Sequence, residues 1–479
     1  MKVRKKQTYI ILLELCVLLY SFIYLNLYSP SLVFVKYSRF GVIVLLLDFV
    51  LFCIAQKRIV TIQTLFLMLF VLFQFGLPIV YAFNPKHYNF YMTLFSEETL
   101  IGAVKYTIFA IQIYIIIATC VISNQNHAEK KGNVGKWTKA ILTHPREVED
   151  AALLLFIITA VVAVPVNLWS AVRALTADGA IGNLYRGAMA ANGLTRFLQE
   201  FFFSSALLYL CFSNKKMRKK VVTAAYLVVA LSMILVADRS GGVTALIVCA
   251  LYYYYTGDKR KRKKNTVVLI GIGIILAIVS SAVANIRSGE SRQSVISLLL
   301  SALEEMGFNF TSLCFVMDYI PSRTSYRLGM SYVAALILLI PKSLGLRSVY
   351  PKLQSYLGET WLWNANNLYG RDFLSFGVGF SLIAESYYNF SWCGLVVMIP
   401  LAVIITHFLK EKKVENAWSL YIRLALMLSF FTAPRRQFHS VIKAIEYSVF
   451  FMALYILVYI RTRRKDKRNE TANGINRRL

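Results

Sequence analysis

The residues of this chain best suited to chemistry are a few arginines, one carboxylate, one histidine and a run rich in tryptophan and asparagine. Arg239 stands in the turn ADRSGG (237–242), and Arg435 and Arg436 stand in PRRQFHS (434–440) beside His439. A guanidinium stays charged and presents a planar fork that matches two phosphate or carboxylate oxygens at once. The glycines after Arg239 would let backbone approach a ligand closely, although an arginine there serves equally as an anchor reaching for lipid headgroups. Two adjacent arginines call for something anionic, either a ligand or the headgroups themselves. Glu385 lies in FGVGFSLIAESYYNF, where the chain returns to an apolar stretch after Gly377 and Gly379. A carboxylate at such depth is costly unless paired or functional. It could act as general base on a hydroxyl, or pair with an arginine. Trp361, Trp363 and Asn366, in WLWNANNLY, offer ring faces for sugar C–H surfaces and an amide for hydroxyls; Arg347, Arg371 and Asp372 flank that run. His439 is a lone histidine, open to a direct role or to none.

The elements that must position these groups are membrane helices. The 479 residues are 57% hydrophobic and only 16% charged, against about 25% charged in a soluble domain. With apolar runs near 20 residues recurring along the chain, this indicates an all-α, polytopic integral membrane protein. Windows of that kind fall near 9–27, 40–55, 59–82, 101–122, 151–171, 197–212, 221–237, 243–256, 266–286, 392–409, 417–433 and 441–460. That gives about twelve spans, the tenth of which could begin earlier, around Phe380. Four regions follow: a bundle of about nine spans (1–286), a long loop (287–391), the last spans (392–460) and a basic tail (461–479). The first span follows MKVRKK without a small-residue cleavage site and reads as a retained helix. Seven scattered cysteines form neither a disulfide framework nor a metal set.

Basic clusters follow every second span, at Lys57-Arg58, 130–139, 214–220, 258–265, 410–413 and 461–468. The positive-inside rule then puts both termini in the cytoplasm and the loops 84–100, 172–196, 238–242, 287–391 and 434–440 outside. It also accounts for the net charge of +29 without a nucleic-acid partner. The cytoplasmic segments hold 21 Lys and 12 Arg, the remainder 6 Lys and 14 Arg. A topology rule does not separate the two residues; a need for bidentate anion binding does. Within the long loop, 293–303 suits an interfacial helix, and Ser331–Ile340, stopped by Pro341, suits a re-entrant or surface-lying one. Such a loop hugs the membrane and fits a lipid-attached substrate.

No Asp-x-Asp or Glu-x-Asp pair falls on the outer face, so a metal-clamped diphosphate is not expected and no cofactor is called for. There is no Walker A loop, HExxH or GxSxG.

The ADRSGG turn with its following span and basic loop resembles the Wzy-type O-antigen and capsular polysaccharide polymerases. So does the late region GETWLW…NNLYGRDFLSFGVGFSLIAESYYNFSWCG, and the likeness is clearest from about 230 to 410. Arg347 and Gly358 also fit the Arg-x10-Gly spacing of some members. The resemblance implies transfer of glycan between undecaprenyl pyrophosphate carriers at the outer face of a bacterial cytoplasmic membrane, making O-antigen, capsule or exopolysaccharide. It carries Arg239 over first and Glu385 second. Lipid-linked repeat units and membrane lipids are the implied partners, with a chain-length regulator and a flippase as candidates. An O-antigen ligase-like transferase, whose mark is an outer histidine, and a lipid-linked oligosaccharide flippase are the alternatives; the long loop argues against the flippase.

Overall fold

A computed structural model of the chain describes residues 2–28, 33–56, 61–86, 89–125, 145–176, 193–235, 239–257, 295–340, 348–368, 370, 379–409, 417–443 and 445–446. Among these residues all regular structure is helical. Hydrocarbon leaves backbone N–H and C=O no partner but one another, and a helix satisfies them within the segment. Among the described residues seven helices are long and apolar enough to cross a membrane: Gln7–Leu27, Phe34–Gln56, Ile62–Phe83, Glu97–Ser123, Glu149–Arg173, Leu382–Phe408 and Ala417–Arg435. The protein is thus an all-helical, multi-pass membrane protein. Leu198–Phe212 and Gly241–Thr256 are apolar but shorter. The span expected from 392, with an earlier start left open, begins at Leu382; that expected near 266–286 lies outside the described residues, as does nearly all of that expected near 441–460.

In chain order the helices are α1 (Lys2–Ile23), α2 (Phe34–Gln56), α3 (Ile62–Phe83), α4 (Glu97–Gln125), α5 (Pro145–Thr176), α6 (Gly193–Phe212), α7 (Lys216–Leu235) and α8 (Arg239–Thr256). They continue as α9 (Val295–Met306), α10 (Phe310–Tyr319), α11 (Met330–Ile337), α12 (Tyr350–Ser355), α13 (Gly358–Leu368), α14 (Leu382–Phe390), α15 (Met398–Phe408) and α16 (Ala417–Phe430). They fall into two compact units. The first comprises 1–131, 274–412 and 429–443, the second 132–273, 413–428 and 444–479.

In the first unit α3 starts at a capping box: Thr61 Oγ1 accepts from the Thr64 N–H, and the Thr61 N–H donates to Thr64 Oγ1. Leu12, Leu19, Ile43 and Leu46 are exposed on α1 and α2, as suits side chains that meet acyl chains. Two acidic groups of these spans take neutral donors inside the bundle, although Glu14 Oε2 stays buried without a partner among the described residues. Thr119 Oγ1 donates to Glu14 Oε1 at 2.9 Å, and Gln112 Nε2 to Asp48 Oδ2 at 3.0 Å. Helices α9 and α10, joined by a 3-10 turn at Gly307–Asn309, do not stand apart as a surface loop. They pack on α3 and α4, with Phe310–Val316 and Tyr319 all buried. The crossing with α3 depends on glycine. A Cβ on Gly307 would come within 2.0 Å of the Leu77 nitrogen, and one on Gly76 within 2.7 Å of the Leu303 carbonyl oxygen.

The second unit packs α5, α6 and α7 on one another and α8 on α7. A Cβ on Gly242 would meet the Ala230 carbonyl at 2.5 Å, so this glycine serves the close approach of α8 to α7. Ser213 Oγ and the Lys215 ammonium both reach Glu149 Oε1, at 2.8 and 3.9 Å.

Candidate functional site

The polar centre of the first unit is Glu385, in the first turn of α14. Gly379, at φ +73, turns the chain into the helix, and Ser381 caps it by accepting from the Ala384 N–H at 3.1 Å. A carboxylate in a first turn also meets the positive end of the helix dipole. Every residue from Leu382 to Asn389 is buried, Glu385 completely. Both carboxylate oxygens are engaged. Oε1 accepts from Ser331 Oγ at 2.7 Å, and Oε2 from the backbone N–H of Phe438 at 2.6 Å. One turn on, Asn389 Nδ2 donates to Ser331 Oγ at 2.7 Å and to the Glu385 carbonyl at 2.8 Å. Its Oδ1 accepts the N–H groups of Gly329 and Ser331, at 3.0 and 3.4 Å, and so caps α11 from outside its own chain segment. Helix α14 ends at Ser391, whose φ of +54 breaks the run before a 3-10 segment leads into α15.

The arginine pair rides on a turn that this centre holds. Residues Ala433–Arg435 form a 3-10 turn, closed by Arg435 N–H to Thr432 O and Arg436 N–H to Ala433 O, at 3.0 and 3.1 Å. Three ties from other segments fix it. Gln74 Nε2 donates to the Pro434 carbonyl, the Glu359 N–H donates to Gln437 Oε1 at 3.1 Å, and Phe438 donates to Glu385. Phe438 also packs edge-on to Tyr332, ring centres 5.3 Å apart. The side chains of Arg435 and Arg436, between these ties, are half-buried. No described residue bonds the Arg436 guanidinium. His439 follows at once, and its Nε2 is buried without a partner among the described residues. Burial, and then the charge of Lys443, push its imidazole down to about 4, so it is neutral at pH 7 and can accept a proton.

Of the aromatic run, Trp361 is 5% exposed and packs on Tyr388, ring centres 4.8 Å apart. Asn366 is buried and accepts from Tyr319 Oη at 2.7 Å. Trp363 is 37% exposed. The fold therefore brings Glu385, Arg435, Arg436, His439, Trp361 and Asn366 into one unit. Arg239 opens α8 in the other unit. Arg347, Arg371 and Asp372 lie outside the described residues.

The sequence reading passed over Arg327, Ser331 and Asn389. Arg327 donates from Nε to Tyr388 Oη at 3.0 Å and lies over that ring. The only local sign was SYRLGMS ahead of an apolar run, with a glycine at the site of a left-handed turn; the partners are some 60 residues away.

A family model described as O-antigen polysaccharide polymerase Wzy matches residues 9–467, nearly the whole chain. Searches of curated proteins and of solved structures returned no match.

Proposed function

The chain belongs to the O-antigen polysaccharide polymerase Wzy family, and from that premise we propose which of its groups perform the transfer. As a member it joins oligosaccharide repeat units carried on undecaprenyl pyrophosphate into polysaccharide, within a membrane. The observation that carries the assignment is the tie from Glu385 to the Phe438 N–H. It holds Arg435, Arg436 and His439 on one braced turn.

In the transfer the anomeric carbon of the growing glycan leaves its diphosphate oxygen and bonds to a hydroxyl oxygen of the incoming unit. The bonding pair departs with the diphosphate, and Arg436 and Arg435 meet the added negative charge. The hydroxyl proton passes to His439 Nε2, a neutral acceptor that the diphosphate's own charge would make more basic. Glu385, both oxygens occupied, holds the turn in place. Trp363 offers a ring face to a sugar, with Trp361 and Asn366 shaping that segment from within. Arg239, at the head of a helix of the other unit, is a separate candidate for phosphate contact, as are Arg347 and Arg371, with Asp372 for a hydroxyl.

The remaining parts of this reading rest on sequence. The arrangement has about twelve spans and cytoplasmic termini, with the loop from 287 up to the span that begins at Leu382 outside, from the alternation of basic loops. The transfer is metal-independent, from the lack of an outer acidic pair. A chain-length regulator and a flippase act beside it.

The test is reconstitution of the purified protein with lipid-linked repeat units and EDTA. Polymer should form, and Arg436→Lys and His439→Gln, at matched abundance, should each lower its rate by about 30-fold or more. Loss of polymer on chelation, restored by magnesium, refutes the metal-independent transfer. Normal rates from both variants refute the residue assignment.

A further inference from the structure

Arg327 sits where the chain is strapped to the end of α14. Its own N–H donates to the Tyr388 carbonyl at 3.2 Å, and the next N–H, of Leu328, donates to the Asn389 carbonyl at 3.0 Å. Leu328 and Gly329 are both left-handed, at φ +47 and +87, so the strap turns sharply just past the arginine. The side chain is held as firmly. Nε donates to Tyr388 Oη, which itself donates to the Tyr356 carbonyl at 3.3 Å, and the guanidinium lies 5.8 Å from the ring centre. Tyr388 is completely buried. Its position is therefore not adjustable, and neither is the end of the arginine it grips.

The two outer nitrogens of the fork are not used in this grip. Among the described residues nothing bonds Nη1 or Nη2 of Arg327, and no carboxylate reaches it. Glu385, which also flanks the Tyr388 hydroxyl, has both oxygens bound to Ser331 and Phe438. Phe438, two residues past Arg436, packs with Tyr356 on the cluster formed by Ala334, Ala335, Leu338 and Leu357. A guanidinium braced through Nε, its two outer nitrogens unbonded among the described residues, suits an anion with several oxygens.

We propose that Arg327 is a diphosphate-binding residue of the carrier-lipid site, gripping phosphate oxygens through its two outer nitrogens while Tyr388 acts as the positioning residue that aims it. This rests on the functional reading above and extends it to a residue of another segment. The shared ligand chemistry is a phosphate group on a membrane lipid, and the occupant proposed is the diphosphate of a polyprenyl carrier, not a phospholipid headgroup.

The test measures binding directly, apart from polymerisation. The protein, in nanodiscs of phosphatidylcholine, is titrated with farnesyl diphosphate; in a second arm phosphatidylglycerol replaces part of the lipid. Arg327→Lys keeps the charge but loses both the Nε tie and the fork, and should weaken diphosphate binding by about 10- to 100-fold. Tyr388→Phe keeps the ring and frees the arginine; it should weaken binding several-fold, and in turnover raise KM for the donor more than it lowers kcat. Thermal unfolding of each variant shows that it is folded. Wild-type diphosphate affinity in a folded Arg327→Lys protein overturns the proposal. So does a loss that appears only in competition with phosphatidylglycerol. Weakened binding in Arg327→Lys together with unchanged turnover in Arg436→Lys and His439→Gln would uphold Arg327 while refuting the assignment of the arginine turn.

Discussion

Replacing Glu385 separates a group that transfers a proton from one that holds a turn. Glutamine keeps one acceptor oxygen where glutamate has two. With that oxygen on the Phe438 N–H, the amide nitrogen faces Ser331, whose hydroxyl loses its acceptor. One buried hydrogen bond is lost, at about 1–2 kcal/mol. Alanine removes both acceptors, leaves the Phe438 N–H and the Ser331 hydroxyl buried and unpaired, and opens a void. The sum is about 3–6 kcal/mol, a large share of the roughly 5–15 kcal/mol that holds a domain together. The loss falls first on the turn carrying Arg435, Arg436 and His439. The assay pairs polymer formation with hydrogen exchange of the peptide containing Phe438. Glu385→Gln should stay within about 30-fold of wild-type polymer rate, the bound set by its one lost bond. Glu385→Ala should fall about 100-fold or more and exchange Phe438 rapidly. If Glu385→Gln is as inactive as Glu385→Ala while Phe438 remains protected, the carboxylate itself moves the proton and the positioning argument is wrong.

Gly307→Ala should destabilise the first unit by about 1–3 kcal/mol or more, because the new methyl meets backbone of α3 that cannot rotate away; an unchanged melting temperature in detergent would contradict that crossing. Arg239→Lys separates a rigid fork from a generic positive anchor: as a clamp it should cost about 30- to 1000-fold in rate, and near-normal polymer at matched membrane abundance returns the residue to anchoring. The fold lowers the pKa of His439 from its ordinary 6.5 to about 4. The neutral form is thus the one the fold favours. Its contribution to stability is complete above pH 6.5 and is lost as pH falls toward 4. His439→Gln should flatten the decline in thermal stability across that window, and parallel curves for the two proteins would refute the assignment.

The spans were legible because hydrocarbon imposes one simple demand, and nearly every apolar window near 20 residues inside the described region became a helix. Glu385 stood out for the same reason, as a carboxylate in apolar surroundings. Its partners did not, because nothing local marks Ser331 or the Phe438 N–H as its donors. Trp361 and Asn366 show the opposite difficulty. Their residue types suit sugars, yet tertiary packing turns both inward, and of the three Trp363 alone is exposed. The burial of α9 and α10 against the bundle was hidden too, because it depends on Gly76 and Gly307 meeting across a long stretch of chain. Arg327 reads as one more outer arginine until Tyr388 gives it a direction.

The junction at Glu385 also sets an order of events during synthesis. Its two donors come from opposite sides of the chain: Ser331 precedes it by 54 residues and Phe438 follows by 53. At roughly 5–20 residues per second a ribosome takes about 3–10 s to make the interval from Glu385 to Phe438. Through that time the carboxylate has its serine but not its backbone amide, and the arginine turn does not yet exist. A chain stalled before residue 438 would therefore carry Glu385 and Ser331 but lack the backbone amide that holds the second carboxylate oxygen.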